Sequence, residues 1–190
     1  MTRLGILGST RGTNLLPIID AINQHKLLAT IEVVISNKSN AIILERAKQY
    51  GLHTEYLGHE GLNRAQYDMQ ISRILQQHKV DLVVLIGYMR ILSEEFVALW
   101  NNKVINVHPS LLPDFAGKMD LEVHQAVIQA GARETGCTIH YVTKDVDEGP
   151  IVLQKKCPVL EDDTPESLKE RVQLLEGIAL VEAIQKIASQ

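Results

Sequence analysis

The chain has 190 residues, 45% hydrophobic and 22% charged, which excludes a disordered or fibrous polymer and supplies enough apolar surface for a core. With 19 Lys and Arg against 23 Asp and Glu, the formal net charge is -4, so no basic excess exists to neutralise a nucleic-acid backbone. The longest apolar run, Val80–Gly87, is interrupted by Asp81 and too short to span a bilayer, so no membrane partner is expected.

Arg3–Gly8 reads as a strand, beginning so early that no leader peptide is expected. Leu15, Leu16, Ile18, Ile19 and Ile22 then recur at helical spacing. Ile31–Ser36 is a second strand, and Ala41–Tyr50 a helix closed by Gly51. His53–Leu57 is a short strand and Gln66–Gln77 a helix. Asp81–Gly87 is almost continuously apolar, as strands buried on both faces of a parallel sheet are. Lys103–Val107 is another strand, with Pro109 and Pro113 breaking the chain after it. Leu121–Ala130 reads as a helix, and Cys137–Thr143 and Ile151–Lys156 as a hairpin-like pair turned by Gly149-Pro150. Thr164-Pro165 starts a long C-terminal helix through Leu168, Val172, Leu175, Ala179 and Val181. The expected fold is α/β and doubly wound: a mixed sheet, parallel in its N-terminal half, with antiparallel pairing near the C-terminal end. With no linker or repeat, residues 1–190 are expected to form a single domain. The two cysteines, both in strand-like segments, suggest a reducing, cytoplasmic setting without disulfides.

Three segments carry chemistry. Gly8-Ser9-Thr10-Arg11-Gly12-Thr13-Asn14 links the first strand to the first helix, whose unpaired N–H groups and positive dipole end suit a phosphate. It is neither a Walker A loop nor a dinucleotide fingerprint, and a plain βα turn stands beside the monophosphate site as a reading. Asn106 and His108 lie two apart at a strand end, so both project from one face. Asn106 offers an amide donor to an oxyanion and His108 a proton near neutral pH; the alternative is a strand end with two hydrogen-bonded polar residues. Asp145, Asp147 and Glu148 crowd the later turn, either as a solvated cluster or as a carboxylate partner for His108. Ser110 lacks a nucleophile-elbow setting. Cys137 and His140 face opposite sides of a strand, and no metal-ligand motif occurs, so no metal is expected.

Asn106-Val107-His108-Pro109-Ser110-Leu111-Leu112-Pro113 resembles the Asn-x-His-Pro-Ser-Leu-Leu-Pro signature of the phosphoribosylglycinamide formyltransferases, the glycinamide ribonucleotide branch of the folate-dependent formyltransferase family. His140 to Pro150 is similar to that family's His-x-Val-x(4)-Asp-x-Gly-Pro segment, and Gly87-Tyr88-Met89-Arg90-Ile91-Leu92 to its Gly-x-Met-Arg-Ile-Leu folate segment. The resemblance covers nearly the whole chain. It implies a Rossmann-like formyltransferase fold and small-molecule substrates, glycinamide ribonucleotide and the co-substrate 10-formyltetrahydrofolate, in purine biosynthesis by a monomer or homodimer. By the same resemblance Asn106, His108 and Asp147 are catalytic. Ser9, Thr10, Arg11, Gly12, Thr13, Asn14 and Glu176 hold the glycinamide substrate. Arg64, Met89, Arg90, Ile91, Leu92, Asn106, Val142, Asp145 and Asp147 contact the folate, and His140 has a supporting place. Two departures stand out: Thr10-Arg11 replaces a family Gly-Asn, and Asp120-Leu121 occupies the stretch where the family carries the first histidine of a His-x-His. A formyltetrahydrofolate deformylase, an initiator-tRNA formyltransferase and a non-catalytic nucleotide-binding module on the same fold are the alternatives. The first two are expected to carry an additional N- or C-terminal domain, respectively.

Overall fold

The computed structural model describes residues 1–189. Seven strands form one sheet: β1 (Thr2–Leu7), β2 (Ala29–Ser36), β3 (Thr54–Tyr56), β4 (Leu82–Leu85), β5 (Val104–His108), β6 (Glu134–Tyr141) and β7 (Ile151–Pro158). Their order is β3-β2-β1-β4-β5-β6-β7, the mixed sheet that the alternation of apolar runs and amphipathic stretches predicts. The chain divides into two compact units, Met1–Asn106 and the part from Val107 onward.

In the first unit β1 pairs in parallel with both β2 and β4, and β4 with β5. Every residue of β4 is buried, which explains its lack of alternation: a strand covered on both faces has no solvent side to mark. The helices are α1 (Leu15–Asn23), α2 (Ile42–Gln49), α3 (Arg64–Gln77) and α4 (Glu94–Leu99). The α3 helix starts two residues before the predicted Gln66, because Asn63 and Gln66 form a reciprocal capping box. The α4 helix is not predicted by periodicity: its six residues are too few for a repeating apolar stripe. Ser93 caps it, and it buries Phe96 beside Trp100, whose indole N–H donates to Ser72 Oγ at 2.9 Å.

In the second unit β6 and β7 run antiparallel from Glu134↔Pro158 to His140↔Ile151. The β6 strand begins at Glu134, three residues before the predicted Cys137. The α5 helix (Leu121–Gln129) and the long α6 helix (Pro165–Ala188) complete it. A Thr164–Ser167 capping box starts α6, and Leu168, Val172, Ala179, Leu180, Ala183 and Ile184 bury one face, with β6, β7 and α5 the neighbouring elements. Among the described residues, no helix is long and apolar enough to cross a membrane.

Candidate active site

The sheet reverses its order of growth at β1, with β2 added on one side and β4 on the other. Open α/β sheets leave a crevice at such a switch point, beyond the carboxyl ends of the strands. Two segments meet there, the loop 8–14 after β1 and the stretch 86–93 after β4. Ser9 N–H donates to Gly87 O at 3.1 Å, and Met89 N–H donates to Ser9 Oγ at 2.9 Å. Ser9 Oγ itself donates to Asn37 Oδ1 at 2.6 Å. Ser9 is thus buried and committed to tying the two segments together, while Thr10 and Arg11 are exposed on the loop crest. Gly12 has φ +64°, and a Cβ there would lie 2.3 Å from Ile43 Cγ1, so the loop's route past α2 requires glycine. Thr13 is half-buried and Asn14, the residue before α1, is buried.

The segment after β4 is held from below. The buried Asp68 carboxylate accepts Ser93 N–H at 2.6 Å, and burial raises its pKa although that hydrogen bond and Arg90 oppose the shift. The Arg90 guanidinium lies 4.4 Å from the Tyr67 ring centroid, a cation–π contact. Leu92 is buried, whereas Met89 and Ile91 are 46% and 57% exposed, leaving apolar side chains uncovered next to the switch point. Arg64, the first residue of α3, is exposed beside a shallow hollow shared with Ser93 and Glu94.

Asn106 pairs in register with Leu85 at the end of β5, half-buried, and His108 follows two residues on. The second unit surrounds His108 with acceptors. Its Nδ1 lies 3.2 Å from Asp147 Oδ2, and its Nε2 lies 3.2 Å from Phe115 O. His140 Nε2 lies 3.5 Å from the other Asp147 oxygen, and Gly117 N–H donates to Asp147 Oδ2 at 2.9 Å. Asp147 sits at φ +58°, a left-handed turn residue aimed back at the two histidines. Burial pulls the His108 pKa below the ordinary imidazole value, with the Asp147 charge and the Phe115 carbonyl offsetting part of the effect. Burial pushes Asp147 up, but the His140 and Gly117 hydrogen bonds and the nearby imidazoles outweigh it, and the carboxyl falls below its usual range. An ionised Asp147 is the stronger acceptor and claims the proton on Nδ1 of a neutral His108. Nε2 also faces an acceptor, the Phe115 carbonyl, so a proton on either ring nitrogen finds a partner.

The strap after His108 is fixed to β6. Thr138 Oγ1 donates to Ser110 O at 2.7 Å and accepts Leu112 N–H at 3.0 Å. Ser110 Oγ donates to Asp114 O at 2.6 Å, a structural use of the hydroxyl. Val142 is half-buried just past β6, and Asp145 is exposed with its carbonyl accepting Thr143 Oγ1. Glu176 is half-buried on α6; burial and then its charge push the Cys137 thiol up to about 12. Both cysteines are free. Of the predicted residues, the structure brings His108, His140 and Asp147 together in one unit, and Ser9 and Met89 in the other. Sequence reading overlooks Asp68, Phe115 and Gly117: a buried helix acid carries no motif, and the other two act through backbone atoms.

Residues 2–184 match the formyl transferase family. The chain is 40% identical over 172 residues to the phosphoribosylglycinamide formyltransferase of Escherichia coli, covering 90% of this chain and 80% of that protein. It is 44% identical over 188 residues to the trifunctional purine biosynthetic protein adenosine-3 of Bos taurus, spanning 98% of this chain but only 18% of that longer protein. Its fold matches the glycinamide ribonucleotide transformylase 1 of Symbiobacterium toebii with a TM-score of 0.92 and 40% identity, covering 97% of this chain and 86% of that one. The chain belongs to the formyl transferase family. Its similarity to relatives named for glycinamide ribonucleotide formylation bears out the resemblance read from the Asn106–Pro113 segment.

Proposed function

We propose that this protein transfers a formyl group from 10-formyltetrahydrofolate to the amine of glycinamide ribonucleotide. The observation that carries the reading is the Asp147 carboxylate, 3.2 Å from the buried His108 imidazole two residues after Asn106, in a chain of this family. The amine attacks the formyl carbon, and the carbonyl oxygen becomes negative. Asn106 donates its amide N–H to that oxygen, a contribution of about 10²–10³ in rate for one such donor. His108 Nε2, moved off Phe115 O, takes the proton released by the attacking amine, and the imidazolium so formed donates to that oxygen. Asp147 holds the imidazole through Nδ1 and stabilises the cation that forms. The imidazolium then gives this proton to the folate nitrogen as it leaves.

The helix N-terminus at Thr13 and Asn14, with Arg11 beside it, supports a phosphate site. Ser9 contributes there by fixing the loop, and Thr10 and Gly12 by its route. Met89, Arg90, Ile91 and Leu92 offer apolar surface and a cation to the folate, with Arg64, Val142 and Asp145 as further contacts, while Glu176 receives the glycinamide portion. On this reading the protein works in the cytoplasm on small molecules, and residues 1–190 act as one formyltransferase domain.

The test follows loss of formyl-folate absorbance with and without glycinamide ribonucleotide. Turnover only in its presence is expected. Turnover without it would make the protein a deformylase, and no turnover in either mixture would leave a binding module. Thr13→Asp should weaken glycinamide ribonucleotide binding at least tenfold by charge repulsion at the helix N-terminus and spare folate binding, as calorimetry with each ligand alone would read. Equal losses for both ligands would refute a phosphate site in this loop.

A further inference from the structure

The edge strand β3 carries His53 just before it and Glu55 within it. Two positions apart on an extended chain, their side chains share a face. His78, the residue that closes α3, completes a group of three. His53 Nε2 lies 2.9 Å from Glu55 Oε1, the His53 and His78 ring centroids are 4.7 Å apart, and one ligand atom from each of the three residues lies within 4.8 Å of the others. We propose that His53, Glu55 and His78 bind a divalent transition metal of the zinc class, clipping the edge strand to the end of α3.

The chemistry of the donor set selects the metal. Two imidazole nitrogens and a carboxylate suit zinc, copper or nickel far better than magnesium or calcium, which prefer oxygen-only shells. Three protein ligands leave a fourth tetrahedral position for water. Bonds of about 2.0–2.1 Å place tetrahedral ligand atoms roughly 3.4 Å apart, so closure on an ion needs only side-chain rotation. His53 is exposed and Glu55 and His78 are half-exposed, which leaves their side chains room to rotate. The C-terminal end of α3 adds partial negative charge, favourable to a cation. The group is also remote from the candidate active site within this unit. In the order β3-β2-β1-β4-β5, four strand spacings, about 19 Å, separate β3 from the strand of Asn106. The mechanically weak element here is β3, three residues long and, among the described residues, paired only with β2, so a metal bridge to α3 has a defined effect.

Calorimetric titration of the full chain with zinc chloride, in a non-chelating buffer, tests the proposal. One ion per chain is expected, with no response to magnesium. His53→Ala and Glu55→Gln, at exposed and half-exposed positions, should each weaken zinc binding at least tenfold while leaving the far-ultraviolet dichroism and formyl transfer unchanged. Zinc at a hundredfold its Kd should raise the wild-type melting midpoint by about 5 °C or more, and move each variant by at most about half as much at the same zinc concentration. Absence of saturable one-to-one binding would overturn the site. So would zinc binding of wild-type strength in a His53→Ala/His78→Ala double variant, which would put the ion on other ligands such as His108, His140 and Asp147.

Discussion

At the residue scale the decisive contact is His108 with Asp147. The imidazole is buried, and burial holds its pKa below the ordinary imidazole value against the Asp147 charge and the Phe115 carbonyl. The carboxylate beside it holds the ring through Nδ1. Asp147→Asn keeps the size of the side chain but removes the charge that supports an imidazolium. It should lower turnover by about 10²–10⁴ with little change in melting midpoint. His108→Ala should lose a similar factor and also erase the acid limb of the pH–rate profile, which steady-state assays across pH 5 to 9 would read. Near-normal turnover in either variant would remove these residues from the chemistry. His140 bonds the second carboxylate oxygen, so His140→Asn should act more mildly, by loosening Asp147.

At the scale of elements, two glycines decide whether the functional loops keep their course. A Cβ on Gly12 would meet Ile43 of α2 at 2.3 Å in a backbone conformation that disfavours side chains. Gly12→Ala should therefore cost about 1–3 kcal/mol in denaturant unfolding and raise the KM for glycinamide ribonucleotide more than for the folate. A Cβ on Gly149 would lie 1.7 Å from Tyr141 O, where Tyr141 N–H pairs with Pro150 O. Gly149→Ala should open the base of the loop that aims Asp147, lowering kcat more than it raises either KM. Unchanged kinetics in that variant would mean that the Asp147 loop is not held by its base. The main strands and, among the described residues, five of the six helices are readable from periodicity and caps because each is long enough to repeat its pattern or has a local stop signal. The α4 helix is not, because its stability comes from Ser93, Phe96 and Trp100 packing rather than from a stripe.

For the molecule as a whole, buried histidines tie stability to pH. Burial pushes His124 down to about 4, with Lys169 adding to the shift and Asp120 opposing it. An unfolded imidazole titrates near 6.5. As pH falls below about 6.5 the unfolded chain takes up a proton that the folded one refuses, so stability declines until the folded group itself protonates near 4. The expected loss from this group is about 2 kcal/mol between pH 7 and pH 5, read by urea unfolding at both values. His108, shifted in the same direction, adds to it. Asp147 works at lower pH: its depressed pKa gives stability that is present above the ordinary carboxylate range and lost as pH falls through its folded value. His124→Gln should flatten the curve between pH 7 and pH 5; an unchanged slope would assign the loss elsewhere.

The sequence by itself determined the alternation of strands and helices, the glycine loop after the first strand, and the pairing of Asn106 with His108 on one strand face. These follow from local rules, the periods of two and 3.6 residues and the turn chemistry of glycine and proline. The Asn106–Pro113 wording added the family, which periodicity cannot supply. The resemblance singles out Asp147 among the three acids of its loop, and tertiary structure alone decided that its carboxylate lies against His108. It also commits the Ser9 hydroxyl to Asn37, pins the Met89–Ser93 segment through Asp68, and brings His78 to His53 and Glu55. Each of these contacts joins residues distant along the chain, and chain spacing carries no record of which distant groups folding brings within hydrogen-bond reach.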